Sequence, residues 1–460
     1  MGGKTTYMQK YPLRQKANAI YDNDSTSEGN PFLAALPALL SKEEFFEIIR
    51  SSPQLPVNLP EMTSEERRQA LPLLSAIFIP LSYMYIIYDQ LYRAIRGTYM
   101  RRTVLEGIRR TNALFTGQKI PSYATQADSG SILGVPGIGK TSAVHRCLSV
   151  MPQVIEHIKY QGQACFCKQV LYLFVECPSD CSVKTLALNV LAALDSAIGS
   201  RYIESLASLR TSSASALATQ VKILCITHHV GLILVDEIQN AVITAQKNKQ
   251  VKPLIRFLVE LTNDTSTGIY FIGTPLAEEL FIAEEHLKRR TRGIRLLPFK
   301  PDGVYRNFLE QIWPYQLTPQ QTALTDKLAN KLYDWSGGIP AYIIKIFQET
   351  QAQVLLRGES TISERTMQRA IDILTLRVPK TYTGGTSLSD FEVEVEPGGW
   401  ETGEQQAKDG QDVPRQYANK RGRKAAQRDR EDLLAAYRNG RDILHHLTEF
   451  GLLERPEKKC

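Results

Sequence analysis

The sequence predicts an α/β fold: a parallel sheet flanked by helices, with a helical extension before it, a small C-terminal helical lid after it, and a basic C-terminal tail. Three observations carry this. Residues 134–141 read Gly-Val-Pro-Gly-Ile-Gly-Lys-Thr, a complete phosphate-binding loop. The apolar run Gly231-Leu-Ile-Leu-Val235 ends in two acids, Asp236 and Glu237. Between about 128 and 298, strand-like and helix-like patterns alternate, as parallel strands with helical crossovers require.

A chain of 460 residues predicts two or three domains. With 43% hydrophobic and 22% charged residues it reads as soluble and globular. The net charge of +7 is compatible with nucleic acid but does not demonstrate it. Seven irregularly spaced cysteines, with no signal peptide, predict a reducing, cytoplasmic setting.

Residues 1–40 read as a flexible arm carrying an apolar docking turn, Asn30-Pro-Phe-Leu-Ala-Ala-Leu-Pro37. Residues 41–127 read as a helical extension, with capping boxes at Ser41–Glu44 and Thr63–Glu66. The uncharged stretch 71–88 approaches the length of a membrane span. Pro72 and Pro80 interrupt it and Asp89 ends it, so a core-facing helix or a docking surface is expected and no membrane partner. A basic helix should cover about 89–115, with Arg93, Arg96, Arg101, Arg102, Arg109 and Arg110.

The α/β core is expected over 128–298. Its strands are read at 132–133, weakened by Gly130 and Ser131, and at 170–176, 231–236 and 268–272; its helices at 141–151, 184–198 and 252–263. The lid, 299–380, is read as helices 301–313, 318–336, 339–357 and 363–376. Residues 381–404 hold six acids and no Lys or Arg, which marks 381–410 as an acidic linker. Residues 411–460 switch sign and end in an amphipathic pattern through Leu433, Leu434, Tyr437, Ile443, Leu444 and Leu447.

The chemistry concentrates in a few places. Gly134, Gly137 and Gly139 let backbone N–H groups curl around phosphate oxygens, and the next helix aims its positive end at the same anion. Lys140 is placed to reach the β- and γ-phosphates, and the Thr141 hydroxyl to ligate Mg²⁺. Nucleotide contacts are therefore expected from Gly134, Pro136, Gly137, Ile138, Gly139, Lys140, Thr141 and Ser142, with ATP and Mg²⁺ as cofactors. Asp236, at a strand end, should hold the metal with Thr141, and Glu237 should orient or deprotonate an attacking water. The plain alternative for Glu237 is a strand cap. Thr274, ending the strand 269–272, is placed to bond the γ-phosphate or that water; Gly273-Thr274-Pro275 is equally a good turn.

The run Lys288-Arg-Arg-Thr-Arg292 carries two readings. Arg289 or Arg290, with Arg292 third, can reach a phosphate held by a neighbouring subunit, or the run is a solvated basic helix end. Ser182, Lys184 and Thr185 form a polar helix start that is a candidate DNA contact, with Arg201 and Arg210 as weaker ones; surface solvation is the alternative. His228 and His229 are expected at a helix end. Cys165, Cys167, Cys177 and Cys181 invite a zinc reading, but an intervening six-residue strand would span roughly 20 Å and keep the pairs apart.

These residues resemble the AAA+ ATPases, in the branch of bacterial transposition regulators of the TnsC and TniB type, and the TnsC type most. Four segments carry the resemblance: Asn30–Pro37, Pro152-Gln-Val-Ile155, Gly231–Gln239 with its Asp-Glu-Ile-Gln ending, and Ile272-Gly-Thr-Pro275 with Glu279-Leu-Phe281. It spans roughly 30–350. It implies a bacterial cytoplasmic protein that forms ATP-dependent rings or filaments on duplex DNA and links a target selector (TnsD or TniQ type) to transposase subunits (TnsA and TnsB types). In that frame Thr274 matches the first sensor, and the Lys288–Arg292 run lies where an intersubunit arginine would be. The lid departs from the family pattern. Ala341 and Tyr342 follow Gly338-Ile-Pro340 where many members carry an arginine, and the nearest base is Lys345, which implies slow hydrolysis. The competing reading is a nucleotide-gated scaffold, a defence or signalling NTPase with no role in transposition.

Overall fold

The computed structural model describes residues 15–22, 27, 29–102, 129–207, 213–242, 251–278, 280, 291–374, 376 and 392–395. Residues 1–403 form one compact unit and 404–460 another; every described residue belongs to the first. The basic tail expected at 411–460 therefore lies outside the described residues.

The strands are β1 (Lys16–Asn18), β2 (Ser129–Gly134), β3 (Val154–Tyr160), β4 (Gln163–Val170), β5 (Tyr172–Glu176), β6 (Leu232–Asp236), β7 (Gly268–Gly273), β8 (Thr291–Leu296) and β9 (Glu392–Val395). The main sheet runs β5-β6-β7-β2-β8 with β9 on its edge, and every neighbouring pair is parallel. All residues of β2, β6 and β7 are buried, which is why Leu-Ile-Leu-Val and Ile-Tyr-Phe-Ile read as continuous apolar runs. Strand β2 is six residues long, not the short piece its Gly130 and Ser131 suggest. Gly130 pairs in register with Tyr270, and a Cβ there would strike the tyrosine ring, so the glycine makes room for its neighbour. Glu392–Val395, inside the acidic stretch read as linker, pairs with Gly293–Leu296.

Alternate residues of each strand feed two apolar layers. Leu232, Leu234 and Ile272 face one layer; Ile233, Val235 and Phe271 face the other. The first layer is covered by α4 (Ser82–Arg101) and by α5 (Lys140–Ser149). The second is covered by α6 (Val183–Ile198), α8 (Ala214–Thr227) and α9 (Val251–Thr265), with the short α7 (Tyr202–Ala207) between α6 and α8. The uncharged stretch before α4 becomes a 3₁₀ turn, Leu71–Ala76, and the start of α4 itself; among the described residues no helix is long and apolar enough to cross a membrane.

The N-terminal region departs from expectation. Its helices are α1 (Pro31–Ala34), α2 (Lys42–Ile49) and α3 (Ser64–Ala70). Asn30 caps α1, accepting from Phe32 N and Leu33 N, and its Nδ2 donates to Tyr99 O. Phe32 and Ala35 are fully buried, with Phe32 against Tyr99, His157 and His229. The segment Asn30–Pro37 is thus part of the core and not an exposed docking turn: its apolar side chains are covered by α4 and by the smaller sheet of this same chain. That sheet, β1-β3-β4, joins Lys16–Asn18 to an antiparallel hairpin. The strand expected at 170–176 is present as β5 from Tyr172 to Glu176, while Val170 at its expected start is the last residue of β4 in the smaller sheet.

The lid comprises α10 (Gly303–Ile312), α11 (Asp326–Ser336), α12 (Pro340–Leu356) and α13 (Glu364–Leu374). The helix expected from 318 starts only at Asp326, because Thr325 caps it there, accepting from Leu328 N, and Pro319 stands upstream. The buried Arg67 of α3 ties the extension to the lid, donating to Leu317 O at 3.0 Å and Thr318 O at 3.1 Å. Gln348 of α12 donates to Leu71 O at 3.1 Å.

Candidate nucleotide-binding site

The register of the sheet brings three strand ends level. Ile132 pairs with Ile272 and Ile294, and Val235 with Phe271, so Gly134, Asp236 and Gly273 finish along one edge. That carboxyl edge is where open α/β sheets receive ligands.

The chain leaves β2 through Val135-Pro-Gly-Ile-Gly139 and enters α5 at Lys140. Gly137 (φ 83°) and Gly139 (φ 95°) lie in the left-handed region, which glycine adopts without strain. Ile138 is buried in the core between them and pins the loop. No side chain caps α5 at Gly139, so its first backbone donors are directed to the space in front of the loop. Pro136 and Ser142 are exposed.

Lys140 is buried, and its Nζ donates to Gly134 O at 2.8 Å and Val135 O at 3.3 Å. Burial lowers its pKa, while the carboxylates of Glu237 and Asp236 oppose the shift. Thr141 Oγ1 donates to Asp236 Oδ2 at 2.8 Å. A hydroxyl and a buried carboxylate in contact beside a phosphate-binding loop are a hard, all-oxygen donor set that suits Mg²⁺.

Glu237 sits at φ 54°, a left-handed conformation uncommon outside glycine. Its N–H donates to Asp236 Oδ1 at 2.8 Å, and its Oε2 accepts from Gln239 Nε2. The other end of that amide, Gln239 Oε1, accepts the Thr274 N–H at 3.1 Å. Gly273 makes this possible: a Cβ there would stand 2.6 Å from Gln239 Oε1. Gln239 carried no role in the sequence reading. The signal was its place in the Asp-Glu-Ile-Gln segment, but its partners are visible only once β6 and β7 are adjacent.

Two further elements close on the loop. Ala341 N, in the first turn of α12, donates to Gly137 O at 3.2 Å, and Ile339 and Tyr342 lie over Gly137. Gly338 (φ 71°) allows the approach, since a Cβ there would meet the Phe299 carbonyl. From the extension, Tyr83 Oη donates to Ile138 O at 3.4 Å. Lys345 is exposed on α12.

The remaining candidates are scattered. Ser182 caps α6, accepting from Thr185 N at 3.4 Å, and Thr185 Oγ1 donates to Asp180 Oδ2 at 2.8 Å, so both hydroxyls serve the local turn. Lys184 beside them is exposed. Arg201 follows the far end of α6, roughly 24 Å away at 1.5 Å per residue, and pairs with Glu204 at 3.8 Å. Arg210, Arg289 and Arg290 lie outside the described residues, and Arg292 is described only as backbone in β8. His228 ends α8, its Nε2 2.7 Å from Tyr202 Oη, and the half-buried His229 lies against Phe32. The cysteine pairs do stay apart: Cys165 and Cys167 lie on β4, whereas Cys177 and Cys181 lie beyond the end of β5.

Residues 124–281 match the family model described as AAA domain. Together with the parallel sheet and its loop, the match decides the fold. The chain carries an AAA+ P-loop fold. Among solved structures, the chain is similar to Orc1 of Aeropyrum pernix in complex with DNA, at 13% identity and TM-score 0.38, covering 59% of this chain and 64% of that one. The chain thus spans less than two thirds of the Orc1 chain. It is also similar to the ADP form of Orc2 from the same organism (14%, TM-score 0.35, 58% and 66% covered) and to the RuvB Holliday junction branch migration motor of Thermotoga maritima (14%, TM-score 0.31, 60% and 70%). No curated protein matches the sequence.

Proposed function

We propose that this AAA+ protein is an ATPase that assembles on duplex DNA and regulates transposition. The observation that carries the hydrolytic reading is the set formed by Lys140, Thr141–Asp236 and Glu237–Gln239–Thr274 along one sheet edge. Lys140 and the backbone donors of 137–142 would hold the phosphates. Thr141 and Asp236 would hold Mg²⁺, which when bound offsets charge on the phosphate oxygens. Lys140 exchanges its contacts with the Gly134 and Val135 carbonyls for phosphate oxygens. Glu237 is the base that orients and deprotonates the attacking water, and Gln239 fixes where its carboxylate points. Thr274 lies across the gap at the end of β7, within the same hydrogen-bonded set.

The DNA and transposition parts of the reading rest on the Asn30–Pro37, Asp-Glu-Ile-Gln and Ile-Gly-Thr-Pro segments and on the net positive charge. Lys184, exposed on the turn that Ser182 and Thr185 shape, is the proposed phosphate contact. A neighbouring copy supplies an arginine from 288–292, and target-selector (TnsD or TniQ type) and transposase (TnsA and TnsB type) proteins dock on the assembly.

The test is electron microscopy and ATP turnover with and without duplex DNA at low salt. Rings or filaments that need both ATP and DNA support the proposal. ATP turnover from monomers that DNA does not alter would leave a nucleotide-gated scaffold without a DNA role.

A further inference from the structure

We propose that His157, Cys165 and Cys167 form a binding site for one thiophilic cation, Zn²⁺ being the expected occupant. The hairpin creates the cluster. In the antiparallel register of β3 and β4, His157 stands directly opposite Cys167. The pleat returns Cys165 to the same face two residues earlier. A register shift between His157 and Lys159 bends the strand there. One potential ligand atom from each residue lies within 4.8 Å of the others.

The thiols have the right separation. Cys165 Sγ and Cys167 Sγ are 3.9 Å apart. Two sulfurs bound tetrahedrally to zinc at about 2.3 Å are separated by about 3.8 Å. The pair therefore needs almost no adjustment, and the histidine nitrogen has to close from within 4.8 Å.

The imidazole is fixed through both ring nitrogens. Gln169 Nε2 donates to Phe32 O at 3.0 Å, which fixes the amide so that Oε1 faces His157. That oxygen, 2.9 Å from His157 Nε2, accepts the Nε2 proton. The lone pair is thereby left on Nδ1, where it receives the Tyr21 hydroxyl at 2.8 Å. A ring nitrogen held by a buried carbonyl oxygen is the outer-shell arrangement that sets the tautomer at zinc sites, and the imidazole brings one ring nitrogen within 4.8 Å of both thiols. The cation takes the place of the Tyr21 proton at Nδ1, the two thiols release their protons, and Tyr21 Oη or water completes the fourth position.

Burial grades across the site. His157 is buried, while Cys165 and Cys167 are half-buried, so a metal can enter from one side. The other cysteine pair differs. Cys177 and Cys181 are buried in the second apolar layer and donate to the Pro178 and Asn240 carbonyls. Bound metal would cross-link the two arms of the hairpin that follows α5.

The test uses the full chain, purified under reducing conditions and loaded with Zn²⁺ in the presence of a competing chromophoric chelator. One zinc per chain is expected by mass spectrometric metal analysis, and the C165S/C167S variant should fall to background. A second measurement on the unaltered chain covers the case of a misfolded variant: Co²⁺ should give a thiolate-to-cobalt charge-transfer band. Substoichiometric zinc in the wild type, a cobalt spectrum without that band, or full zinc retention by the double variant overturns the proposal. ATP binding measured on the same samples is independent of either result.

Discussion

Gln239 bridges Glu237 and Thr274: one end of its amide donates to the Glu237 carboxylate and the other accepts the Thr274 N–H at 3.1 Å. The bridge crosses from the end of β6 to the end of β7. It holds a carboxylate whose own backbone is in a left-handed conformation. Gln239→Ala should lower ATP turnover roughly 10–100-fold, the scale of a misplaced catalytic group, while leaving nucleotide affinity unchanged. Steady-state turnover and nucleotide titration of the same variant check it; wild-type turnover would show that Glu237 needs no such support. Gly273→Ala should reproduce the defect, because its Cβ displaces Gln239 Oε1.

Lys140→Ala and Glu237→Gln should separate binding from hydrolysis. The first removes the cation from a loop it now fills, and ATP affinity should be lost. The second keeps size and polarity but removes the base, so ATP-bound assemblies should accumulate on DNA with turnover reduced to background. Unchanged ATP affinity in the first, or normal turnover in the second, contradicts the assigned roles.

Phe32→Ala should destabilise the chain by about 3–5 kcal/mol, as for other fully buried aromatics, because Phe32 contacts Tyr99, His157 and His229. Chemical denaturation measures this directly. An exposed docking residue would instead leave stability untouched and weaken only partner capture.

The phosphate loop and the Asp236–Glu237 strand end were legible because their chemistry lies in contiguous residues. The lid was legible as helices because Gly337, Gly338 and Pro340 punctuate it. Four features were not. The Gln239 bridge depends on two strands becoming neighbours. The seating of Ala341 on Gly137 joins residues two hundred positions apart in the chain. Asn30–Pro37 reads as an apolar peptide, and sequence alone does not say whether this chain or another covers it. The hairpin β3–β4 was missed for a related reason: the apolar run around 170–175 hides the point at Leu171 where the chain passes from one sheet to the other.

The half-buried His228 and His229 predict acid sensitivity. His229 is pushed down to about 3, first by burial and then by the charges of Arg102 and neighbouring imidazoles. His228 is lowered by burial and by Lys168. Their ordinary value, 6.5, applies in the unfolded chain. As pH falls below 6.5 the unfolded chain takes up protons that the folded chain refuses, so stability is full above that value and declines below it. Each such histidine contributes a slope of up to about 1.4 kcal/mol per pH unit. Glu66, Asp195 and Glu260 have carboxyl pKa values lowered further, from ordinary values of 4.5, 3.8 and 4.5, so they act only at more acid pH. Urea midpoints measured in chelator-containing buffer should therefore fall between about pH 7 and pH 5. His229→Phe, which keeps a ring against Phe32, should flatten part of that decline. A midpoint that stays constant across this window would mean that the imidazole is protonated in the folded core or accessible to water there.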